Sequence, residues 1–260
     1  MKTLIKNNSL RGFSIFSDPE KWQNLLSDLP ILNECFFFFN EERGNHLNLF
    51  FRNLSPEMYI KTEEYLVNFL KKSSSDYQNI ANDLLFKNFE VNIILPIHYH
   101  ETTQDLVYDS KTKDETILNF LFEFSSILIA SLSYNNYFVK EKNRLNFALQ
   151  LVLMSLIKAD GETRIKEIEK EIKNDEVFKI IFTNSKTALL NIFEELKKIE
   201  EEVEIEDWVK DWLKLANNFL GNTTILLMIE IICQVLNIKT QKKQLIYLIK
   251  ETLKSSQIKI

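Results

Sequence analysis

Three histidines offer the most versatile side-chain chemistry in this sequence: His46, His98 and His100. His98 and His100 stand two positions apart at the end of an apolar, β-branched run, so both point to one face of a strand. The His-x-His spacing occurs in zinc sites, but neither a Cys-x-x-Cys pair nor a His-Glu-x-x-His sequence supplies further ligands. We therefore expect no metal site and favour proton transfer or plain surface polarity for this pair.

Titratable side chains continue beyond these histidines. Tyr99, Glu101 and Tyr108 bear protons and lie where an apolar strand ends, which is a common position for acid–base groups. A carboxyl group that is desolvated there has a raised pKa and can act as a general acid near neutral pH. A solvent-exposed polar loop explains the same residues equally well. The sequence predicts an acid–base cluster over residues 98–108 and leaves that alternative open.

Other kinds of chemistry find no support in the sequence. Neither the P-loop spacing nor the dinucleotide-binding glycine fingerprint occurs. Cys35 and Cys233 lie inside apolar runs, which is typical of inert core positions. The acidic stretch 194–211 is typical of a solvated helix face with Glu–Lys pairs four residues apart. The net charge of −5 argues against a broad nucleic-acid surface, so we expect no nucleic-acid partner.

The chain also lacks the features of export or membrane insertion. Two cysteines make no disulfide framework, and residues 1–9 lack the apolar region of a signal peptide. The apolar run Ile225–Leu236 is interrupted by Glu230 and is shorter than the ~20 residues that a membrane span requires. We therefore expect a cytoplasmic protein without a membrane partner.

The elements that must position the acid–base cluster alternate between strands and helices. Apolar–polar alternation, continuous apolar runs or β-branched residues predict four strands: Gly12–Phe16, Cys35–Phe39, His46–Arg52 and Glu90–Ile97. Two helix starts and one hairpin turn lie between them, at residues 17–20, 55–57 and 43–45. This β-α-β-β-α-β order predicts a ferredoxin-like, four-stranded antiparallel sheet with two helices on one face.

Strand signals are absent beyond residue 112, and apolar periodicity predicts helices to the end of the chain. Their expected bounds are Asp114–Tyr134, Val139–Lys158, Glu162–Lys173, Ser185–Glu201, Asp207–Leu220, Thr223–Leu236 and Thr240–Lys254. The predicted fold class is therefore α+β. A ferredoxin-like layer over residues 1–112 is followed by a helical bundle half over residues 113–260.

Motifs spread along the chain resemble one protein family. Asn33–Arg52 resembles the F-F-I-R-Y-x-D-x-G-x-H-L-R-L-R-F segment of the C-terminal, glutamate-elimination domain of lantibiotic dehydratases. Residues 99–108 are similar to the family's Y-x-x-E-x-x-R-Y-G-G element, and Phe122–Ser126 is similar to its F-x-x-D-S. Leu227–Ile238 lies where the family has H-M-x-x-N-R-L-x-G-I. The resemblance therefore covers most of the chain, in the same order.

Departures from these motifs indicate the subtype. Asn48 and Phe50 stand where the elimination domains have the two arginines of H-L-R-L-R, and Val107 stands at the arginine of R-Y. Ile229 and Gln234 stand near the places of the C-terminal histidine and arginine. Elimination of glutamate needs cations or acids that hold the leaving carboxylate, so this chemistry is not expected here. The stand-alone thiopeptide pyridine synthases resemble this chain in length and keep the fold without that constellation.

The resemblance implies an enzyme that joins two dehydroalanines of a linear, azole-bearing peptide in a formal aza-[4+2] cycloaddition and expels water and the leader peptide. Its partner would be the modified precursor peptide, leader plus dehydrated core, and no cofactor is implied. The abundance of Phe suits a cavity that holds azole rings by stacking. The alternatives are a non-catalytic partner subunit of a split dehydratase and an active glutamate-eliminating enzyme. The oligomeric state, a homodimer included, stays open.

The same resemblance assigns residues to roles. Arginine is scarce in this chain, so Arg52 at the end of the third strand is a candidate for holding a peptide carbonyl or carboxylate. The predicted catalytic residues are Glu101, Tyr99 and Tyr108, and the predicted substrate-binding residues are Arg52, His46, His98 and His100.

Overall fold

The structure is a computed structural model, and it describes most of the chain. The described residues are 10–17, 19–29, 34–40, 46–52, 54–73, 93–97, 114–132, 140–158, 161–172, 175–199 and 205–257. Within them, no helix combines the length and the apolar character that crossing a membrane demands. The chain divides into two compact units, residues 1–140 and residues 141–260.

An antiparallel sheet forms the centre of the first unit. Its strands lie in the spatial order β2-β3-β1-β4, with the bounds β1 Leu10–Phe16, β2 Cys35–Asn40, β3 His46–Arg52 and β4 Ile93–Ile97. Phe36 of β2 lies opposite Phe50 of β3, so the two predicted hairpin strands do pair. β1 lies between β3 and β4, and its Gly12 is opposite Phe50 on one side and Ile97 on the other.

The α+β class is therefore confirmed, with strands confined to the first unit among the described residues. The ferredoxin-like topology stays a prediction, because residues 74–92, which lead into β4, are outside the described part of the chain.

Two helices cover one face of the sheet: α1 (Pro19–Ser27) and α2 (Pro56–Ser73). Trp22 of α1 stacks on Phe39, with ring centroids 5.2 Å apart, and Tyr59 of α2 stacks on Phe13 at 4.7 Å. The strand register places Phe13 and Phe39 on the same face. Pro19 begins α1 with the fixed φ that the first helical turn needs. Trp22, Leu25 and Leu26 follow at helical spacing and are buried.

A third helix, α3 (Asp114–Ser131), runs beside the edge strand β2. Ser125 Oγ accepts a hydrogen bond from the backbone N–H of Phe37 at 3.2 Å, and Phe122 meets Phe36 edge-on at 4.9 Å. These contacts place α3 with the sheet, in the unit that ends at residue 140.

Among its described residues the second unit contains helices and their connections but no strand, as expected from the apolar periodicity. Its helices are α4 (Glu141–Lys158), α5 (Gly161–Glu171), α6 (Glu176–Lys198), α7 (Asp207–Leu220), α8 (Ile225–Val235) and α9 (Lys242–Gln257), with a 3-10 turn at Lys239–Gln241. Trp212 of α7 is fully buried and donates from Nε1 to the backbone oxygen of Leu151 of α4 at 2.9 Å.

The start of α6 differs from the sequence prediction. The helix begins at Glu176, whereas periodicity predicted a start at Ser185. Asp175 caps the helix, because its side chain accepts hydrogen bonds from the backbone N–H groups of Val177 and Phe178. Val177 and Ile180 are 63% and 60% exposed, so the first turns of α6 do not show the buried stripe on which the prediction depended.

One ion pair holds the connection between α7 and α8. Arg164 donates to the backbone oxygens of Thr223 at 3.0 Å and of Leu220, and pairs with Glu167 at 3.0 Å. The other oxygen of Glu167 accepts from the backbone N–H of Ile225 at 3.2 Å. A cation thus meets the carbonyls at the end of α7, and an anion meets the start of α8, as the helix dipoles favour. We call these five residues the Arg164 clasp.

Candidate functional site

The face of the sheet opposite α1 and α2 carries the candidate site, because it contains both of the described residues that were predicted to bind substrate. Alternation along β3 places His46, Asn48, Phe50 and Arg52 on this face. We call it the His46 face. The register adds side chains from the neighbouring strands: Ser14, Phe16, Phe36 and Phe38. The three positions that resemble the family's histidine and its two arginines therefore share one face.

Side chains of this face contact one another across the β1–β3 pair. Ser14 Oγ donates to Asn48 Oδ1 at 2.6 Å, between positions that are opposite in the register. Two pairs along the register, which is the next pair on this face, the His46 ring stacks on Phe16, with centroids 4.3 Å apart, and His46 is 6% exposed. His46 is thus fixed by packing within the face.

Phenylalanines fill the part of the His46 face next to α3. Phe36 and Phe50 stack at 5.0 Å, and Phe38 meets Phe50 at 5.8 Å. Phe122 completes the cluster through its edge-on contact with Phe36. All four are buried, with Phe122 the most exposed at 9%. These four rings pack on each other, so they form a wall and leave little ring surface on which an azole could stack.

Gly12 allows the phenylalanine cluster to pack directly against β1. A Cβ atom at this position would lie 2.4 Å from the backbone oxygen of Leu49 and 2.8 Å from the ring of Phe50. Such distances are far inside van der Waals contact, so the Phe50 ring can lie against β1 because residue 12 has no side chain.

Arg52 ends β3 with its guanidinium on α3. Its Nη2 donates to Asn119 Oδ1 at 3.1 Å, and its Cζ lies 4.6 Å from the centroid of the Phe122 ring. The residue is half-buried, and its buried Nε atom has no hydrogen-bond partner. Among the described residues no carboxylate lies within ion-pair distance of it. A guanidinium held by a neutral amide and a ring keeps donors for a further acceptor.

The other predicted site residues lie outside the described residues: Tyr99, Glu101, Tyr108, His98 and His100. The described backbone stops just before them at Ile97, which pairs with Gly12 in the β1–β4 ladder. Their assignment as catalytic and substrate-binding residues stays a prediction.

Two residues of the site were not found from the sequence: Ser14 and Asn119. Ser14 is polar between Phe13 and Ile15, which are both 0% exposed, so strand alternation could have pointed to it. Asn119 precedes Phe122 by three positions, which places both on one face of α3. Nothing in the sequence indicates which strand end that face meets.

The cysteines take no part in chemistry at this site. Cys35 and Cys233 are both 0% exposed, and burial raises the pKa of each thiol to about 12. Thiols of such a pKa stay protonated and unreactive at neutral pH, which confirms the inert core positions inferred from the sequence. Within the described ranges, no three His, Cys, Asp or Glu side chains converge as a metal site would require.

The fold of this chain recurs in proteins of solved structure. The pyridine synthase TbtD from thiomuracin biosynthesis is similar at a TM-score of 0.54 and 11% identity, over 97% of this chain and 100% of TbtD. The tRNA-dependent lantibiotic dehydratase MibB from Microbispora sp. 107891 is similar at a TM-score of 0.54 and 8% identity, over 100% of this chain and 29% of MibB. No protein-family model and no curated protein matches the sequence. The resemblance to lantibiotic dehydratases is thereby confirmed at the level of the fold.

Proposed function

We propose that this chain is a thiopeptide pyridine synthase, which closes a peptide macrocycle by joining two dehydroalanines of a linear, azole-bearing precursor. The observation that carries the proposal is the extent of the fold match, 97% of this chain and 100% of TbtD, which is itself a pyridine synthase. The corresponding fold makes up 29% of MibB, so it also occurs as part of a much larger dehydratase. We therefore base the proposed function on TbtD, because the whole of TbtD corresponds to nearly the whole of this chain.

The composition of the His46 face supports the same proposal. Two positions that hold arginines in the elimination domains are Asn48 and Phe50, and both are engaged within the sheet. Asn48 accepts from Ser14, and Phe50 stacks on Phe36. Neither side chain can neutralise the carboxylate that departs when glutamate is eliminated, whereas a cycloaddition creates no such anion.

The proposed reaction needs proximity and proton transfer. Tautomerisation of an amide turns one dehydroalanine into an azadiene, two carbon–carbon bonds form to the second dehydroalanine, and water and the leader amide then leave. The two eliminations complete the aromatic ring, so no oxidant and no redox cofactor is required. Holding the two alkenes in contact contributes up to ~7–11 kcal/mol of the barrier reduction. Glu101, Tyr99 and Tyr108 are the proposed proton carriers, each worth ~10²–10⁴-fold in rate if it acts as a general acid.

The proposed partner is the precursor peptide, with a leader and a dehydrated, azole-bearing core. Arg52 and the three histidines at positions 46, 98 and 100 are the proposed contacts to it. Such peptides are ribosomal products, so the proposal places the reaction in the cytoplasm.

Incubation of the purified protein with a linear, dehydrated, azole-bearing precursor tests the proposal. Mass spectrometry should show a product lighter than the substrate by one water and the leader amide. A substrate that binds and returns with its mass unchanged contradicts the proposed activity.

A partner subunit of a split dehydratase is the second candidate, and the similarity to part of MibB favours it. In that case the protein would bind the precursor without cyclising it, or would eliminate glutamate from a glutamylated Ser or Thr. A glutamylated precursor peptide offered in parallel separates these outcomes, because loss of glutamate changes the mass by a different amount.

A further inference from the structure

Among the residues that the structure describes, no carboxylate pairs with the Arg52 cation, although the chain as a whole is acidic. The sequence holds 37 acidic residues against 32 Lys and Arg. Arg164 in the second unit shows the usual arrangement, because it pairs with Glu167 at 3.0 Å. Arg52 instead meets the amide oxygen of Asn119 and the ring of Phe122.

Acidic residues are close to this position along α3 but do not pair with Arg52. Glu115 and Glu123 lie one helical turn before and one turn after Asn119. Both are exposed, and neither forms an ion pair with the guanidinium. The helix thus meets Arg52 with a neutral amide and an aromatic ring, at Asn119 and Phe122.

The guanidinium is held in a fixed orientation with binding capacity to spare. The Phe122 ring lies under it, and Asn119 accepts from one of its nitrogens, Nη2. The neighbouring nitrogen, Nε, is buried, and no group of the described residues accepts a hydrogen bond from it. The two oxygens of a carboxylate match two adjacent guanidinium nitrogens, and such bidentate, charge-assisted pairs are the strongest that arginine forms. The aromatic ring beneath the cation attracts it and further limits its motion.

We propose that Arg52, Asn119 and Phe122 form a recognition site for a carboxylate of the peptide that this protein modifies. The inference rests on the proposed function in one respect, which is that the ligand belongs to a peptide substrate. An acidic side chain and a C-terminal carboxylate share the required chemistry. The side-chain amide of Asn119 adds N–H donors beside the guanidinium, so a carboxylate there meets donors from both residues.

Titration with small probes tests the site and distinguishes the two sources of the carboxylate. N-acetylglutamate α-amide carries a side-chain carboxylate, N-acetylalanine carries a C-terminal one, and N-acetylglutamine α-amide is the neutral counterpart. The NMR signal of the Arg52 Nε–H group, assigned by its loss in Arg52→Gln, reports binding. We expect one or both acids to bind at least tenfold more tightly than the neutral probe. Equal affinity for acidic and neutral probes overturns the proposal.

A second variant keeps Arg52 but supplies it with a carboxylate partner from α3, which should compete with the probes. Asn119→Asp replaces the amide with a carboxylate of the same shape, which should pair with Arg52 and weaken binding of the acidic probes at least tenfold. Asn68→Asp on α2 is the matched control, because Asn68 is also exposed and adds the same charge elsewhere in the unit. Unchanged probe affinity in Asn119→Asp contradicts the proposed site.

The outcome for the site is separable from the outcome for the proposed function. The probe titration involves no cyclisation. Acid-selective binding of the probes together with an unmodified precursor therefore supports the carboxylate site and contradicts the pyridine synthase activity. If the Arg52→Gln variant cyclises the precursor with the same KM as the parent, the carboxylate site is contradicted and the pyridine synthase activity is supported.

Discussion

The two units of this protein use their polar side chains in different ways. In the helical unit, charged groups neutralise one another, within α5 in the Arg164 clasp and between α9 and α8 in the pair of Lys242 with Glu230. On the His46 face, Asn48 and Arg52 meet neutral partners. Charge is therefore compensated in these pairs of the helical unit, whereas within the described part of the chain no carboxylate compensates Arg52, on the face where we propose that a substrate binds.

The largest effect expected from this comparison concerns the rate of cyclisation. Glu101→Gln, Tyr99→Phe and Tyr108→Phe, all in the sheet unit, should include at least one variant that loses roughly 10²–10⁴-fold in rate, because each substitution removes a proposed proton carrier. The rate is measured by mass spectrometry with the linear precursor, and circular dichroism checks the fold. The control is Lys197→Gln in the helical unit, which breaks an exposed pair with Glu194 and should cyclise at the parent rate. If all three variants also do so, the chemistry lies elsewhere.

The next largest effect concerns the stability of the helical unit. Arg164→Met should lower the free energy of unfolding by about 2–4 kcal/mol, because it leaves Glu167 and the carbonyls of Thr223 and Leu220 without their cation. The control is Lys179→Met, whose ion pair with Glu176 is 3.5 Å long and largely exposed, so a change within about 0.5 kcal/mol is expected. Urea unfolding measures both, and equal losses would show that the clasp contributes no more than a surface pair.

A smaller effect is expected at the edge of the sheet. Ser125→Ala removes the acceptor for the backbone N–H of Phe37 and should cost about 1–3 kcal/mol, because a buried donor is left unpaired. The neighbouring Ser126→Ala removes only a bond to the carbonyl of Phe122 in its own helix, so its cost should be a few tenths of a kcal/mol. Thermal or urea unfolding compares the two, and a similar cost for both would contradict the role of Ser125.

The smallest effect is expected at the buried cysteines, one of which lies in each unit. Cys35 in one unit and Cys233 in the other should both resist a thiol-specific reagent at pH 8 until the protein unfolds, because burial raises both pKa values to about 12. The raised pKa of each thiol also determines how stability changes with pH. Each protonated thiol contributes fully below the ordinary pKa of about 8.5, and its contribution is lost as the pH rises towards 12. Rapid labelling of one cysteine in the native protein would show that its unit opens more readily.

Short-range patterns predicted the pairing of β2 and β3. The run Cys35–Phe39 and the alternation in His46–Arg52 are properties of single strands, and only a few residues separate them in the sequence, so the hairpin followed from the sequence. The position of His46, Asn48 and Arg52 on one face followed from alternation alone.

Long-range placement could not be predicted in the same way. The contact between Arg52 and Asn119 joins residues 67 positions apart, and helical spacing gives the face of α3 but not its neighbour. The start of α6 was wrong because Val177 and Ile180 are exposed apolar residues, whereas periodicity assumes that apolar residues are buried. The packing of α3 beside β2 was also beyond the sequence, because α3 resembles the helices of the second unit and its contact with β2 joins residues 88 positions apart.

The covering of β2 by α3 has a consequence for how the protein is made. Cys35–Phe39 is an uninterrupted apolar segment on an edge strand, the kind of sequence that associates with other chains when it is exposed. Ser125 follows Phe37 by 88 residues, so at roughly 5–20 residues per second the ribosome needs about 4–18 s to supply the helix that shields this edge. Nascent chains therefore pass through a period in which the edge is unprotected, so slower synthesis should lower the yield of soluble protein and chaperone binding during that period should raise it.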